Sequence, residues 1–226
     1  MIKTPLRRPT LVVIAGPNGS GKTSITEALL RHHWLAGCRY INPDLLARDV
    51  FGDWNSSEAV LRAAELAERE REECLAHRRS FAFETVLSAP DKLAFLGRAK
   101  AAGFFLRVFF VCTAHPSINA ARVAQRVMEG GHDVPISKIV ARYTKSVVQA
   151  AAAVAMADRA YVFDNSRDGE EPRLLFRVRE GVVEKVYVRP VPEWAQSILA
   201  GLSAQVAPTL AVTVARSGND DDPGPS

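Results

Sequence analysis

The chain has 226 residues, of which 47% are hydrophobic and 24% charged, as in an ordinary folded domain. Its net charge of +4 suits an anionic ligand, but its basic residues are spread along the chain, which does not favour a nucleic-acid partner. No apolar run approaches the roughly 18 residues of a membrane span, and three cysteines without metal-type spacing indicate a reducing compartment. We therefore expect a cytoplasmic protein with no membrane partner.

The predicted elements alternate between strands and helices. We expect a lead-in over residues 1–10, one folded domain over 11–204 and a disordered tail over 205–226. In chain order the predictions are strand 11–15, helix 22–31, strand 39–42, helix 56–77, strand 80–84, helix 91–102, strand 104–112, helices 116–129 and 136–156, strand 160–163, strands 173–179 and 182–188, and helix 192–203. This alternation predicts an α/β fold with a mainly parallel sheet, and Glu180-Gly181 predicts a C-terminal β-hairpin over 173–188.

Residues 16–23 match the phosphate-binding pattern G-x-x-x-x-G-K-[ST] in full, after a buried strand and before a helix. Glycines let successive backbone N–H groups point at phosphate oxygens, and the start of the helix adds its dipole. We expect Lys22 to reach the terminal phosphates of ATP and the Thr23 hydroxyl to ligate Mg²⁺. The predicted nucleotide-binding residues here are Gly16, Pro17, Asn18, Gly19, Ser20, Gly21, Lys22, Thr23 and Ser24.

Asp44 follows the second predicted strand, in Tyr40-Ile41-Asn42-Pro43-Asp44. Ligands of parallel α/β sheets bind at the carboxyl ends of the strands, so a carboxylate there faces the γ-phosphate from the acceptor side. Asp44 is therefore a candidate general base that accepts the proton of a substrate hydroxyl. The position is equally typical of a helix cap before Leu45, and capping does not exclude catalysis.

Two further strand ends carry polar residues. Glu84 and Thr85 follow the third predicted strand, where a carboxylate is unfavourable unless it binds something. We expect this pair to bind the substrate, or to hold Mg²⁺ through water, with a helix or loop cap as the alternative. Asp164-Asn165-Ser166 ends the fifth predicted strand and predicts a contact between Asn165 and the nucleotide, with an Asx-type turn as the alternative.

A basic segment over about 116–145 is a candidate lid. Arg122 and Arg126 are four residues apart and share one helix face, Gly130-Gly131 allows a hinge, and Arg142 lies on the next helix. Arginines that close over ATP neutralise charge on the transferring phosphoryl group and exclude water. The three arginines are therefore candidate catalytic residues beside Lys22, with a solvated basic helix face as the alternative.

Together these segments resemble the zeta toxin family of P-loop kinases, and within it a shorter branch of predicted ATPases. The matching segments are 16–23, Asn42-Pro43-Asp44, Phe83-Glu84-Thr85, the arginines with Gly130-Gly131-His132-Asp133-Val134-Pro135, and Asp164-Asn165-Ser166. The resemblance covers roughly residues 10–170. It implies a P-loop NTPase, nucleoside-kinase-like three-layer fold with a five-stranded parallel core, and it implies ATP and Mg²⁺.

The resemblance also implies roles for single residues. Asp44 matches the family's catalytic base, Glu84 its substrate-binding acid and the arginines of 122–142 its phosphate clamp, and His132 is a further substrate-binding candidate in the lid. Well-studied members phosphorylate the 3′-hydroxyl of UDP-N-acetylglucosamine, and a small antitoxin protein blocks them by covering the ATP site. Here Asn-Pro-Asp stands where those toxins carry an Asp-x-Asp type stretch.

The leading hypothesis is an ATP-dependent kinase that phosphorylates a hydroxyl of a small molecule, such as a nucleotide sugar. A kinase for nucleic-acid ends or tRNA is an alternative, but it needs a basic groove with stacking aromatic residues, and no basic–aromatic stretch is present. A nucleotide-dependent ATPase or switch is the other alternative. The LSGGQ-like signature of transporter ATPases is absent from the sequence.

Overall fold

The computed structural model describes residues 8–51, 56–129 and 134–206. The strands are β1 (Thr10–Ala15), β2 (Arg39–Ile41), β3 (Phe81–Thr85), β4 (Phe105–Cys112), β5 (Arg159–Asp164), β6 (Arg173–Arg179) and β7 (Val182–Val186). The helices are α1 (Lys22–Leu30), α2 (Pro43–Phe51), α3 (Ser57–Ala76), α4 (Pro90–Ala101), α5 (Pro116–Met128), α6 (Ile136–Met156) and α7 (Glu193–Val206), with a short 3-10 helix at His33–Leu35. Most of the predicted lead-in and tail lies outside the described residues.

The seven strands form one sheet in the order β2-β3-β1-β4-β5-β6-β7. The first five are parallel, which confirms the predicted α/β fold and its parallel core. The predicted hairpin is also present, and β6 pairs antiparallel with β5, so the hairpin extends the same sheet. The sheet therefore has two more strands than the predicted core, because the hairpin continues it at the β5 edge.

Helices cover both faces of the sheet, which explains the continuous apolar run of β1. Residues 11–15 have no exposed surface, as expected for a central strand of a parallel sheet. On one face, helices α3, α4, α6 and α7 pack against a core that includes Phe83 and Phe110. On the other face, α1 and the 3-10 helix pack against Val12 and Ile14. Full burial of one such side chain stabilises the fold by about 2 kcal/mol.

A buried carboxylate ties β4 to β5 at the amino ends of the strands. Asp158 is 5% exposed, and it accepts hydrogen bonds from the backbone N–H of Leu106 at 2.7 Å and from Arg8 at 3.0 Å. Lys100 forms an ion pair with it at 3.0 Å. Burial by itself would raise the pKa of Asp158, but these three partners outweigh it and hold the pKa below its ordinary value. Ligands of parallel α/β sheets bind at the carboxyl ends of the strands, and Asp158 lies at the amino ends, so its role is structural.

None of the described helices is both long and apolar enough to cross a membrane. The three cysteines, Cys38, Cys74 and Cys112, are all free thiols.

Candidate active site

The phosphate-binding motif forms a tight turn between β1 and α1. Gly16, Gly19 and Gly21 have φ angles of +155°, +72° and +93°. A Cβ on Gly19 would lie 2.5 Å from the backbone oxygen of Asn119, and a Cβ on Gly21 would lie 2.0 Å from the side-chain Nδ2 of Asn165. The turn thus leaves no room for side chains at these positions, and its left-handed backbone is one that glycine adopts readily.

Two buried asparagines hold this turn from outside. Asn119 Nδ2 donates to the backbone oxygen of Asn18 at 2.6 Å, and Asn165 Nδ2 donates to that of Ser20 at 2.9 Å. The hydroxyl of Thr113 donates to Asn119 Oδ1, which fixes the orientation of that amide. The cradle is therefore held in shape by residues from β4, α5 and the end of β5.

Lys22 is the first residue of α1, and its side chain lies over the turn. Its Nζ donates to the backbone oxygens of Gly16 and Pro17, each at 3.0 Å. Burial lowers the pKa of Lys22 from 10.5 to about 8. A phosphate group at this point would supply the negative charge that the buried ammonium lacks.

Three other charged residues act on the Lys22 ammonium. Besides the effect of burial, Glu84 and Asp44 raise the pKa of Lys22, and Arg126 lowers it. These side chains come from three different elements, the end of β3, the first turn of α2 and the last turn of α5. The fold therefore brings the predicted base, the predicted substrate-binding acid and one predicted lid arginine within electrostatic reach of the phosphate-binding lysine.

Glu84 is the centre of a hydrogen-bond network. Its Oε1 accepts from Thr26 Oγ1 at 2.6 Å and from the Tyr40 hydroxyl at 2.8 Å, and Asn42 Nδ2 donates to Tyr40 at 2.9 Å. Burial, together with the charge of Glu84, raises the pKa of Tyr40, so the phenol stays a donor. No residue in the described part of the chain donates to Glu84 Oε2, and this oxygen is available to a ligand. Glu84 lies within β3 and its carboxylate accepts no backbone N–H in the described part of the chain, so for this residue the predicted alternative of a helix or loop cap is wrong. The Thr85 hydroxyl, by contrast, accepts a loop N–H, that of Leu87.

Asn42 connects this network to Asp44. Its Oδ1 accepts the backbone N–H of Asp44 at 2.9 Å, and its backbone oxygen accepts that of Leu46 at 3.0 Å. Asn42 therefore caps α2, and Pro43 takes the first helical position, which the missing N–H of proline permits. The predicted alternative, in which Asp44 caps a helix from Leu45, is wrong. Asp44 is exposed in the first helical turn, where the dipole favours a carboxylate.

Two of the predicted lid arginines flank the turn. Arg126 is near enough to affect the pKa of Lys22, and Arg142 on α6 donates from Nη1 to Asn18 Oδ1 at 3.5 Å. The segment between α5 and α6 carries His132 and the predicted glycine hinge, and it lies outside the described residues.

Arg122 has a different environment. Its Nη1 donates to the backbone oxygen of Asn165 at 2.7 Å, and its Nη2 donates to Asp168 Oδ1 at 2.6 Å. Arg122 thus contacts the loop after β5, which also holds the phosphate turn through Asn165. In that loop, Asp164 Oδ1 accepts from the Ser166 hydroxyl at 2.6 Å.

Thr85 links β3 to the phosphate turn through its backbone. Its carbonyl oxygen accepts the N–H of Gly16 at 3.1 Å, and its Oγ1 accepts the N–H of Leu87 at 3.0 Å. Thr23 and Ser24 are exposed in the first turn of α1. The described residues hold no group of three His, Cys, Asp or Glu side chains that could bind a metal ion unaided. A single hydroxyl beside a phosphate cradle suits Mg²⁺, which keeps several waters and binds together with phosphates.

Comparison with known protein families identifies the family of this chain. The family model described as "Zeta toxin" matches residues 2–175 of the chain. The chain belongs to the zeta toxin family. This confirms the resemblance that the motifs indicate. No curated protein matches the sequence.

Solved structures share the fold of this zeta toxin family chain. The AvrRxo1-ORF1:ORF2 complex with ATP has a TM-score of 0.61 at 21% identity, over 92% of this chain and 66% of that chain. This chain therefore spans just under two thirds of the length of that relative. The PezAT toxin–antitoxin system of Streptococcus pneumoniae has a TM-score of 0.53 at 13% identity, over 92% and 89%. At these identities the likeness concerns the fold.

Three residues of the candidate active site were not predicted from the sequence, namely Thr26, Tyr40 and Asn119. A signal for Tyr40 was present, because alternate residues of a strand share one face, and Tyr40 therefore points the same way as Asn42. Thr26 lies one helical turn after Lys22, on an otherwise apolar face. Asn119 carries no signal of its own, because its role depends on how α5 packs on the phosphate turn.

Proposed function

We propose that this zeta toxin family chain is an ATP-dependent phosphotransferase that transfers the γ-phosphoryl group of ATP to a hydroxyl of a small molecule. The observation that supports it most directly is that Asp44 and Glu84 lie within electrostatic reach of Lys22. A phosphate cradle alone suits any P-loop ATPase. A carboxylate base and a second carboxylate on the acceptor side are what transfer to a hydroxyl needs in addition.

In the proposed reaction, the acceptor hydroxyl oxygen forms a bond to the γ-phosphorus while the bond between that phosphorus and the ADP oxygen breaks. Asp44 accepts the hydroxyl proton. Lys22, Arg126 and Arg142 donate hydrogen bonds to the phosphoryl oxygens and stabilise the charge that develops on them. Mg²⁺, held through the Thr23 hydroxyl when bound with the nucleotide, supplies further charge neutralisation.

Glu84 orients the acceptor in this proposal. Because Thr26 and Tyr40 both occupy Oε1, Oε2 is free to accept a hydrogen bond from a second hydroxyl of the acceptor. A sugar offers such neighbouring hydroxyls. A nucleotide sugar such as UDP-N-acetylglucosamine is the acceptor that we propose to test first, because its phosphates also suit the basic chain.

The proposal extends to a toxin role in the cytoplasm with a small antitoxin partner. The family membership supports it, as does the shared fold with the PezAT toxin–antitoxin system. Expression of the chain is expected to arrest growth, and Lys22→Ala is expected to relieve the arrest. Harmless expression of a folded protein with transfer activity would contradict the toxin role and leave the phosphotransferase proposal intact.

The direct test is incubation of the purified chain with labelled ATP and a panel of nucleotide sugars, nucleosides and RNA ends, read by mass spectrometry. We expect one small-molecule class to gain a phosphoryl group, and we expect Lys22→Ala to abolish the product. Label on RNA ends would indicate a nucleic-acid kinase. ATP hydrolysis with no labelled acceptor in any class would contradict the transfer reaction.

A further inference from the structure

A second cavity lies between α3 and α4, and none of its lining residues belongs to the site described above. Its volume is about 230 Å³, and its charged lining consists of Glu68, Arg71 and Glu72 from α3 and Asp91, Lys92 and Arg98 from α4. A cavity of this size has room for a small polyatomic ion with some water.

Arg71 is the unusual residue of this cavity. It is 8% exposed, and it makes no hydrogen bond or ion pair with any residue in the described parts of the chain. Its guanidinium carbon lies 5.3 Å from the centre of the Phe83 ring. A guanidinium carries five N–H donors, and burial of such a charge without a partner is unfavourable, which a cation–π contact offsets only in part.

Three carboxylates line the cavity beside Arg71, those of Glu68, Glu72 and Asp91, and the last two are paired with other cations. Glu72 Oε2 accepts from Arg98 Nη1 at 3.0 Å, and Asp91 Oδ2 accepts from Lys92 Nζ at 2.6 Å. Burial lowers the pKa of Arg71, and the charges of Glu68, Glu72 and Asp91 raise it without offsetting the effect of burial. Arg71 thus lies within electrostatic reach of three carboxylates, but its N–H donors have no acceptor among the described residues.

We propose that this cavity binds a small oxyanion, a carboxylate or phosphoryl group, on the guanidinium of Arg71. A planar guanidinium binds such groups through two parallel N–H···O bonds, and the Phe83 ring lies 5.3 Å from the guanidinium carbon of Arg71. Phe83 precedes Glu84 in β3, so Arg71 lies between the cavity and the strand that carries the proposed acceptor-binding acid. The proposal does not depend on phosphoryl transfer.

Crystals of the full chain soaked in selenate test the proposal, because selenium scatters anomalously and reports each anion site separately. We expect one peak at the phosphate turn and a second peak within hydrogen-bond distance of Arg71. Occupancy at increasing selenate concentration gives an apparent affinity for each site. Arg71→Met, which keeps an unbranched side chain over Phe83, is expected to weaken the second site at least tenfold and to leave the first unchanged.

Arg69→Met is the matched control, because it removes the same charge from an exposed position on the same helix. It is expected to retain both peaks. Arg71→Lys keeps the positive charge but lacks the paired N–H donors of the guanidinium. It replaces the methionine variant if that variant does not fold, and we expect it also to lose occupancy at the second site. A wild-type map with selenate at the phosphate turn alone would overturn the proposal, as would a second peak that persists unchanged without the arginine.

Discussion

The lowered pKa of Lys22 makes nucleotide binding depend on pH above neutrality. Burial lowers this pKa from 10.5 to about 8 in the free protein, which corresponds to on the order of 3 kcal/mol against the charged form. The phosphates of ATP favour the charged form, so the pKa rises on binding. The bound state then holds more protons than the free state, and the affinity for ATP must fall as the pH rises through about 8.

The size of the effect follows from the protonated fraction of free Lys22. This fraction falls from roughly three quarters at pH 7.5 to about one tenth at pH 9, so we expect the affinity for a fluorescent ATP analogue to fall about eightfold between these values. Titrations at constant ionic strength measure it. Burial raises the pKa of the Cys112 thiol to about 12 and also raises that of the Tyr40 hydroxyl, so neither group titrates in this range.

Lys22→Arg is the control, because a guanidinium stays protonated throughout this range. We expect it to bind the analogue more weakly and with a flat pH profile. A wild-type profile that is also flat, or an arginine variant that loses affinity in the same range, would show that burial of Lys22 does not set the pH dependence.

Three further perturbations probe the cradle, the acidic network and the base of the sheet. Gly19→Ala places a Cβ 2.5 Å from a backbone oxygen at a φ of +72°, so it should weaken analogue binding at least tenfold. Gly37→Ala, at a φ of +77° with open space around it, should leave analogue binding unchanged, and equal binding by both variants would contradict nucleotide binding at the turn. Tyr40→Phe removes a hydrogen bond to Glu84, worth about 1 kcal/mol, and should lower turnover several-fold in a transfer assay without changing analogue affinity. Unchanged turnover would show that Tyr40 does not position Glu84 for the reaction. Asp158→Ala leaves two cations and a buried N–H without their partner and should lower the free energy of unfolding in urea by about 3 kcal/mol at pH 7. The loss should be smaller in acid, where the wild-type carboxylate is protonated, and equal losses at both pH values would contradict its lowered pKa.

Local patterns predicted the parts of the fold that local chemistry determines. The apolar run 11–15 predicted a strand buried on both faces, which β1 is, and the glycine motif after it predicted a tight turn before a helix, which is also present. The bounds of α6 and β6 are as predicted, because apolar periodicity marks both ends of these elements. The membership of the hairpin in the main sheet was not predictable, because nothing in residues 173–186 specifies which edge they pair with.

The candidate active site likewise combines positions that the sequence displays with contacts that depend on the fold. Lys22, Asp44 and Glu84 follow or lie at strand ends, which is a pattern that the sequence displays. Their shared electrostatic environment depends on β3 lying between β1 and β2, and strand order is not written in any local segment. The contact between Tyr40 and Glu84 also requires β2 to pair with β3, so it could be found only in the structure.

Asp44 is the proposed acceptor of the substrate hydroxyl proton beside the phosphate cradle. Single-turnover transfer from labelled ATP by Asp44→Asn, measured alongside ATP-analogue affinity in the same preparation, tests it most directly. We expect transfer by this variant to slow by roughly 10²- to 10⁴-fold while analogue affinity stays nearly unchanged. Transfer at the wild-type rate by this variant would contradict this role of Asp44.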